Sequence, residues 1–133
     1  MTQHATGTFE VTMQPQGEGD VAEGSSLGRM SLDKRFSGDL EASGKGEMLA
    51  ARSDFPTSAA YVAIERVRGS LRGRDGSFAL VHKGVMTKEA QSLVIEVVPD
   101  TGTGQLKGLA GTLDIRIEDG LHYYDFEYSL PDE

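Results

Sequence analysis

A chain of 133 residues, 38% hydrophobic and 26% charged, reads as one globular domain able to bury a single core, residues 1–133. A net charge of −8 without tryptophan disfavours a surface that grips phosphate backbones, so no nucleic-acid partner is expected. No cysteine is present, which excludes disulfides and thiolate metal sites. No apolar run reaches membrane length, and the opening MTQHATGTFEV lacks a signal-peptide pattern, so the expected home is the cytoplasm.

The apolar residues recur with a period of two, and scattered glycines argue against long helices. In chain order the alternation predicts strands over Thr6–Gln14, Ser26–Ser37, Asp39–Arg52, Ser58–Gly73, Ser77–Thr87, Ser92–Pro99, Gln105–Glu118 and Leu121–Leu130. The acidic, glycine-rich GEGDVAEG after the first strand reads as a loop, and PDTGTG as a tight connection.

Two Asp-Gly pairs set the expected hairpin registers, because a two-residue type I′ turn needs positive φ at both central positions. Asp75-Gly76 would put Arg74 opposite Ser77, Glu65 opposite Met86 and Gly69 opposite His82. Asp119-Gly120 would put Glu118 opposite Leu121, Ile117 opposite His122 and Ile115 opposite Tyr124. In the first hairpin one face carries Tyr61, Ala63, Glu65, Val67, Leu71, Phe78, Leu80, His82 and Met86. The other carries Arg66, Arg68, Arg72 and Lys83 beside Val62, Ile64 and Val81. Four cations mark the second face as wet, so Glu65 and His82 are expected to point inward.

Eight antiparallel strands with one apolar face predict an all-β, up-and-down eight-stranded barrel, which leaves no exposed sheet edge; a two-sheet sandwich is the alternative. Such a barrel is filled by its own side chains or holds one small apolar or amphipathic ligand.

FSGDLEASGKGEM (36–48), AAYVAIERVRGSLRGRDGSFALVHKG (59–84), VVPDTGTGQLKGLAG (97–111) and HYYDFEYSL (122–130) together resemble an uncharacterised bacterial family, domain of unknown function 3224. That family is similar in fold to the allene oxide cyclase barrel. Met13, Val81 and Asp100 depart from the residues the resemblance leads one to expect. It implies a barrel and carries no established reaction. Plant allene oxide cyclases close a ring in an unsaturated fatty epoxide, and a shared fold alone does not transfer that chemistry.

Glu65 is the sharpest candidate, as a general acid or base, or as a group orienting a polar ligand atom. The structural alternative is a salt bridge inside the barrel, for which Lys34, sharing parity with Met30, Leu32 and Phe36, is the expected partner. In the Asp75-Gly76 register His82 lies four residues from Glu65 along the strand, about 13 Å, too far for a direct pair. His82 is then a second cavity-lining group or a core imidazole bonded to backbone or tyrosine. His122, beside the last turn, is a gate or polar anchor for a ligand, or a strand-end residue partly in water. Tyr61, Tyr124 and Tyr128 would offer hydroxyls to a cavity or simply fill the core. Three histidines without close spacing make no metal motif, and no cofactor pattern occurs. The expected chemistry is ligand binding, with cofactor-free proton transfer or isomerisation as its catalytic form. The rival is a non-enzymatic module with a filled barrel. Apolar Val62, Ile64, Val81 and Val85 on the outer face predict a homo-oligomer, most simply a dimer.

Overall fold

The computed structural model describes residues 2–131. Nine strands follow in chain order: β1 (Gln3–Pro15), β2 (Asp20–Val21), β3 (Ser26–Gly38), β4 (Leu40–Arg52), β5 (Ala59–Leu71), β6 (Arg74–Met86), β7 (Gln91–Val97), β8 (Ala110–Glu118) and β9 (Leu121–Ser129). They form one antiparallel sheet in the order β1-β9-β8-β7-β6-β5-β4-β3-β2, and β1 also pairs with β3. That pairing closes β1 and β3–β9 into an eight-stranded barrel, with β2 a two-residue addition on β3. A single 3-10 turn, Gly104–Leu106, interrupts the β7–β8 connection. Among the described residues no helix is long and apolar enough to cross a membrane.

The period-two pattern sorts the side chains as expected. Val67, Leu71, Phe78, Leu80 and Phe126 are at most 2% exposed, while Val62 and Ile64 on the opposite face are half exposed or more. Most strand ends moved by a residue or a few: β1 begins at Gln3 rather than Thr6, β6 at Arg74 rather than Ser77, and β8 at Ala110 rather than Gln105. The segment GEGDVAEG, expected as a loop, contains the two-residue β2, which pairs with Leu27 and Ser26 at the start of β3.

The larger correction is the register of the β5–β6 hairpin. Its turn is Arg72-Gly73, with φ of 47° and 84°, and Leu71 faces Arg74. Glu65 therefore faces Leu80, Ala63 faces His82, and Gly69 faces Gly76. Asp75-Gly76 is drawn into β6 instead because the β7–β8 connection lies on it. Ser77 N donates to Thr103 Oγ1 at 3.0 Å, Thr103 N donates to Ser77 O at 2.8 Å, and Asp75 N donates to Gln105 Oε1 at 2.9 Å. A Cβ at position 76 would collide with the Thr103 carbonyl, so the glycine serves close approach rather than a turn. The Arg72 side chain is tied in turn to His4 O at 2.7 Å and Asp39 at 3.3 Å. The β8–β9 hairpin keeps its expected register: Asp119 and Gly120 take φ of 51° and 80°, and Ile117 faces His122.

The two ends of the barrel differ. At the end carrying the β5–β6 turn, the β7–β8 connection folds in and buries Leu106, Leu109 and Leu130. At the other end inward positions stay open: Met13 is 48% exposed and Met86 40%, with Met30, Met48 and Tyr61 half-buried. A packed aromatic and aliphatic interior thus ends in a methionine-lined mouth.

Candidate functional site

Between the packed half and the mouth lies a charged cluster. Glu65 from β5 is 1% exposed, and its Oε1 accepts hydrogen bonds from Lys34 Nζ at 2.8 Å and from His82 Nε2 at 2.7 Å. Lys34 comes from β3 and His82 from β6, so one carboxylate oxygen ties together strands on either side of β5. The observed register makes this possible. With Glu65 opposite Leu80, His82 is a diagonal cross-strand neighbour, within reach of a long side chain. The expectation that Glu65 and His82 stand too far apart for a direct pair is corrected: it followed from the wrong turn.

Lys34 is two strands away, and the sequence of β4 explains how Glu65 reaches it. Inward positions 44 and 46 are both glycine, opposite Val67 and Glu65 respectively. No β4 side chain stands in the way, so the glutamate crosses bare backbone. A Cβ at Gly44 would lie 2.6 Å from Glu65 Oε2 and 3.4 Å from the Phe36 ring. The Lys34 ammonium also sits 5.1 Å from the centroid of Phe9 and 5.9 Å from that of Phe36, so aromatic faces supply part of its environment. Gly44 and Gly46 were missed as site residues; alternate glycines on an otherwise apolar strand face were their signal.

Burial alone would raise the Glu65 pKa. The hydrogen bond from His82 and the charge and hydrogen bond of Lys34 together outweigh it, and the carboxyl titrates below its ordinary 4.5. Glu65 is therefore an anion at neutral pH. Its second oxygen, Oε2, is buried and has no hydrogen-bond partner among the described residues. Burial, with a smaller contribution from the Glu65 charge, raises the pKa of Tyr61 and keeps its hydroxyl protonated. Its ring lies against Gly84, where a Cβ would collide with it.

The remaining candidates lie outside the cluster. Tyr124 accepts from Leu40 N at 2.9 Å and donates to Ser37 O at 3.0 Å, binding β9 to the β3–β4 turn. Burial raises its pKa. Tyr128 is buried, 3.3 Å from Gln3 Oε1. His122 is half-buried with its ring centroid 5.1 Å from that of Phe9. Among the described residues no group of three or more His, Asp or Glu side chains converges to hold a metal ion.

Large concavities lie on the outer wall. One groove of about 600 Å³ is lined by Arg29, Glu47, Leu49, Val62, Ile64 and Val81 among others. A second, of about 400 Å³, runs past Leu27, Leu49, Ala51, Ala60, Val62 and Val85. Neither is lined by Glu65 or His82.

A search of curated proteins finds no match for the chain. Among solved structures it is similar to a crystal structure, at 1.84 Å, of a protein of unknown function from the DUF3224 family of Shewanella oneidensis MR-1. The two share 47% identity over 98% of each chain, with a TM-score of 0.93. The family model described as protein of unknown function, DUF3224, matches residues 5–128. A nearly full-length family match and a barrel that superposes on a member lead to one conclusion: this chain belongs to the DUF3224 family.

Proposed function

We propose that the barrel holds one small amphipathic molecule in its open end. The apolar part would lie among Met30, Met48 and Tyr61, and the polar part against the His82–Glu65 pair. The observation that carries this reading is a buried, ionised carboxylate with one oxygen doubly bonded to donors and the other without any. A buried charge kept only for the fold is most favourable when all its acceptor positions are filled. The unfilled one supports a donor supplied from outside the chain. Methionine is unbranched and polarisable, and adapts its shape to varied apolar partners. His82 shares a cross-strand row with Met48 and Ala63, one row nearer the mouth than Glu65, and would meet the polar group first. His122 is the proposed anchor toward the mouth.

The chemistry of the head group follows. His82 Nε2 is hydrogen-bonded to Glu65 Oε1, so the position that remains open on the carboxylate is the Oε2 acceptor. An acceptor on an ionised carboxylate is met by a hydroxyl or amine rather than by another carboxylate. The lowered pKa makes Glu65 a weak base. Holding a ligand, rather than proton transfer or isomerisation, is the role its electrostatics favour, and no cofactor enters the reading. The proposal assigns the protein to the cytoplasm, in keeping with a cysteine-free chain.

Nile red, a neutral amphipathic fluorophore, followed by competition tests this. Decan-1-ol should displace it at a concentration at least about tenfold below decanoate, since the anion meets a buried carboxylate. Equal displacement by the two, or no uptake of the fluorophore, would overturn the proposal.

A second reading rests on the outer grooves. Their position supports a non-enzymatic module whose interior is closed by its own side chains and whose exterior makes a homo-oligomer, most simply a dimer.

A further inference from the structure

The outer wall formed by β3–β7 carries apolar side chains in consecutive cross-strand rows. One row runs Glu47, Ile64, Val81, Glu96; the next Arg29, Leu49, Val62, Lys83, Val94; the next Leu27, Ala51, Ala60, Val85. Leu27, Leu49, Val62, Ile64, Val85 and Val94 are 51%, 57%, 50%, 60%, 37% and 48% exposed. Together they present on the order of 500 Å² of apolar surface, at the top of a monomer's usual largest patch and most of the roughly 800 Å² per partner of a standard interface.

The relief and charge of these rows say what fits them. Ile64 is the most exposed of the six and stands proud, whereas Ala51 and Ala60 leave a hollow two rows away that lines the groove of about 400 Å³. The row holding Ile64 ends in acids, Glu47 and Glu96, and the next holds the bases Arg29 and Lys83. Arg29 and Glu47 already stand 3.3 Å apart within one chain.

We infer that a second copy of this chain covers the wall, its two-fold axis running across the strands through the Val62 row. This rests on the second reading, that the protein self-associates. Rotation about that axis exchanges the rows on either side of Val62. Ile64 of each copy then enters the Ala51–Ala60 hollow of the other, and Val62 meets its own equivalent. Arg29 and Lys83 lie in the axis row and come over their own equivalents, with Glu47 and Glu96 of the second copy one row away on the neighbouring strands, and each contact occurs twice as the isologous rule requires. A two-fold axis along the strands does the opposite. Placed along β5, it sets Ile64 on Ile64 and leaves hollow against hollow. The knob and the hollow therefore select one arrangement.

Sedimentation velocity at 10–100 μM, a range of about a decade around ordinary interface affinities, tests both levels. The wild type should sediment as a dimer. Ile64→Arg should raise the dimer dissociation constant by at least about tenfold, as should Ala60→Arg, which fills the hollow. Both residues face outward, and unchanged circular dichroism and melting establish that the variants fold. Glu47→Arg should weaken the dimer, and Arg29→Glu added to it should restore association. A wild type that stays monomeric contradicts self-association itself. A wild-type dimer that survives both Ile64→Arg and Ala60→Arg keeps self-association and overturns the assignment to this wall.

Discussion

Glu65 shows how one buried side chain is held in place. Its Oε1 receives both Lys34 and His82, so neutralising it removes the counter-charge of the Lys34 ammonium while leaving that ammonium buried. Glu65→Gln should therefore lose about 3–5 kcal/mol of stability, a melting temperature drop of roughly 10 °C or more for a domain this size. Lys34→Met combined with Glu65→Leu should recover most of the loss, because neither charge is then stranded. If Glu65→Gln melts like the wild type, the cluster does not support the fold. The same linkage sets a pH dependence. The folded-state pKa lies below the ordinary 4.5, so an unfolded chain takes up the proton first. The stabilisation from Glu65 is fully present above about pH 4.5 and is lost as pH falls through the folded value. Urea titrations of wild type and Glu65→Gln should converge as the pH is lowered through that window; a gap that stays constant would contradict the shift. Gly44 belongs to the same unit. Gly44→Ala should destabilise the wild type by about 1–3 kcal/mol by crowding Oε2, and by clearly less in a Glu65→Ala background.

At the scale of elements, the faces were legible and the register was not. The Asp75-Gly76 turn and the observed Arg72-Gly73 turn differ by a slide of six residues between β5 and β6. An even slide keeps every inward residue inward, so the alternation that exposes a one-residue slip is blind to this one. Glu65, His82 and Lys34 were placed on the inner face from parity alone, and Lys34 was singled out as the partner. Their meeting at one oxygen depends on the register and on two glycines of a third strand, neither of which the local pattern of β5 and β6 carries. What decided the turn was remote: the loop that docks on Gly76 through Thr103, and the Arg72 contacts to His4 and Asp39. Substitution can separate the two uses of glycine. Asparagine tolerates positive φ, so Gly73→Asn should cost no more than about 1 kcal/mol. Gly76→Asn must push the Thr103 carbonyl away and should cost clearly more in urea unfolding. The reverse order would mean that Asp75-Gly76 is the turn after all.

At the scale of the molecule, closure was foreseeable but its asymmetry was not. Eight half-apolar strands call for a barrel, and the pairing of β1 with β3 supplies it across the short β2 hairpin. One end is stopped by Leu106, Leu109 and Leu130, while the other leaves Met13 and Met86 in water. Nothing in the alternation of PDTGTGQLKG marks it as a plug, since its docking uses threonine hydroxyls and a glycine contact rather than a strand's periodicity. The asymmetry gives the interior a single proposed entrance, with a buried carboxylate beneath it that has one oxygen to offer. The most direct test of that claim is native mass spectrometry of the protein isolated from its own host without denaturation. A population heavier than the bare polypeptide by one small neutral molecule, released on unfolding and depleted in Glu65→Gln, is the result expected. Only the bare polypeptide mass, at every collision energy that preserves the fold, would contradict it.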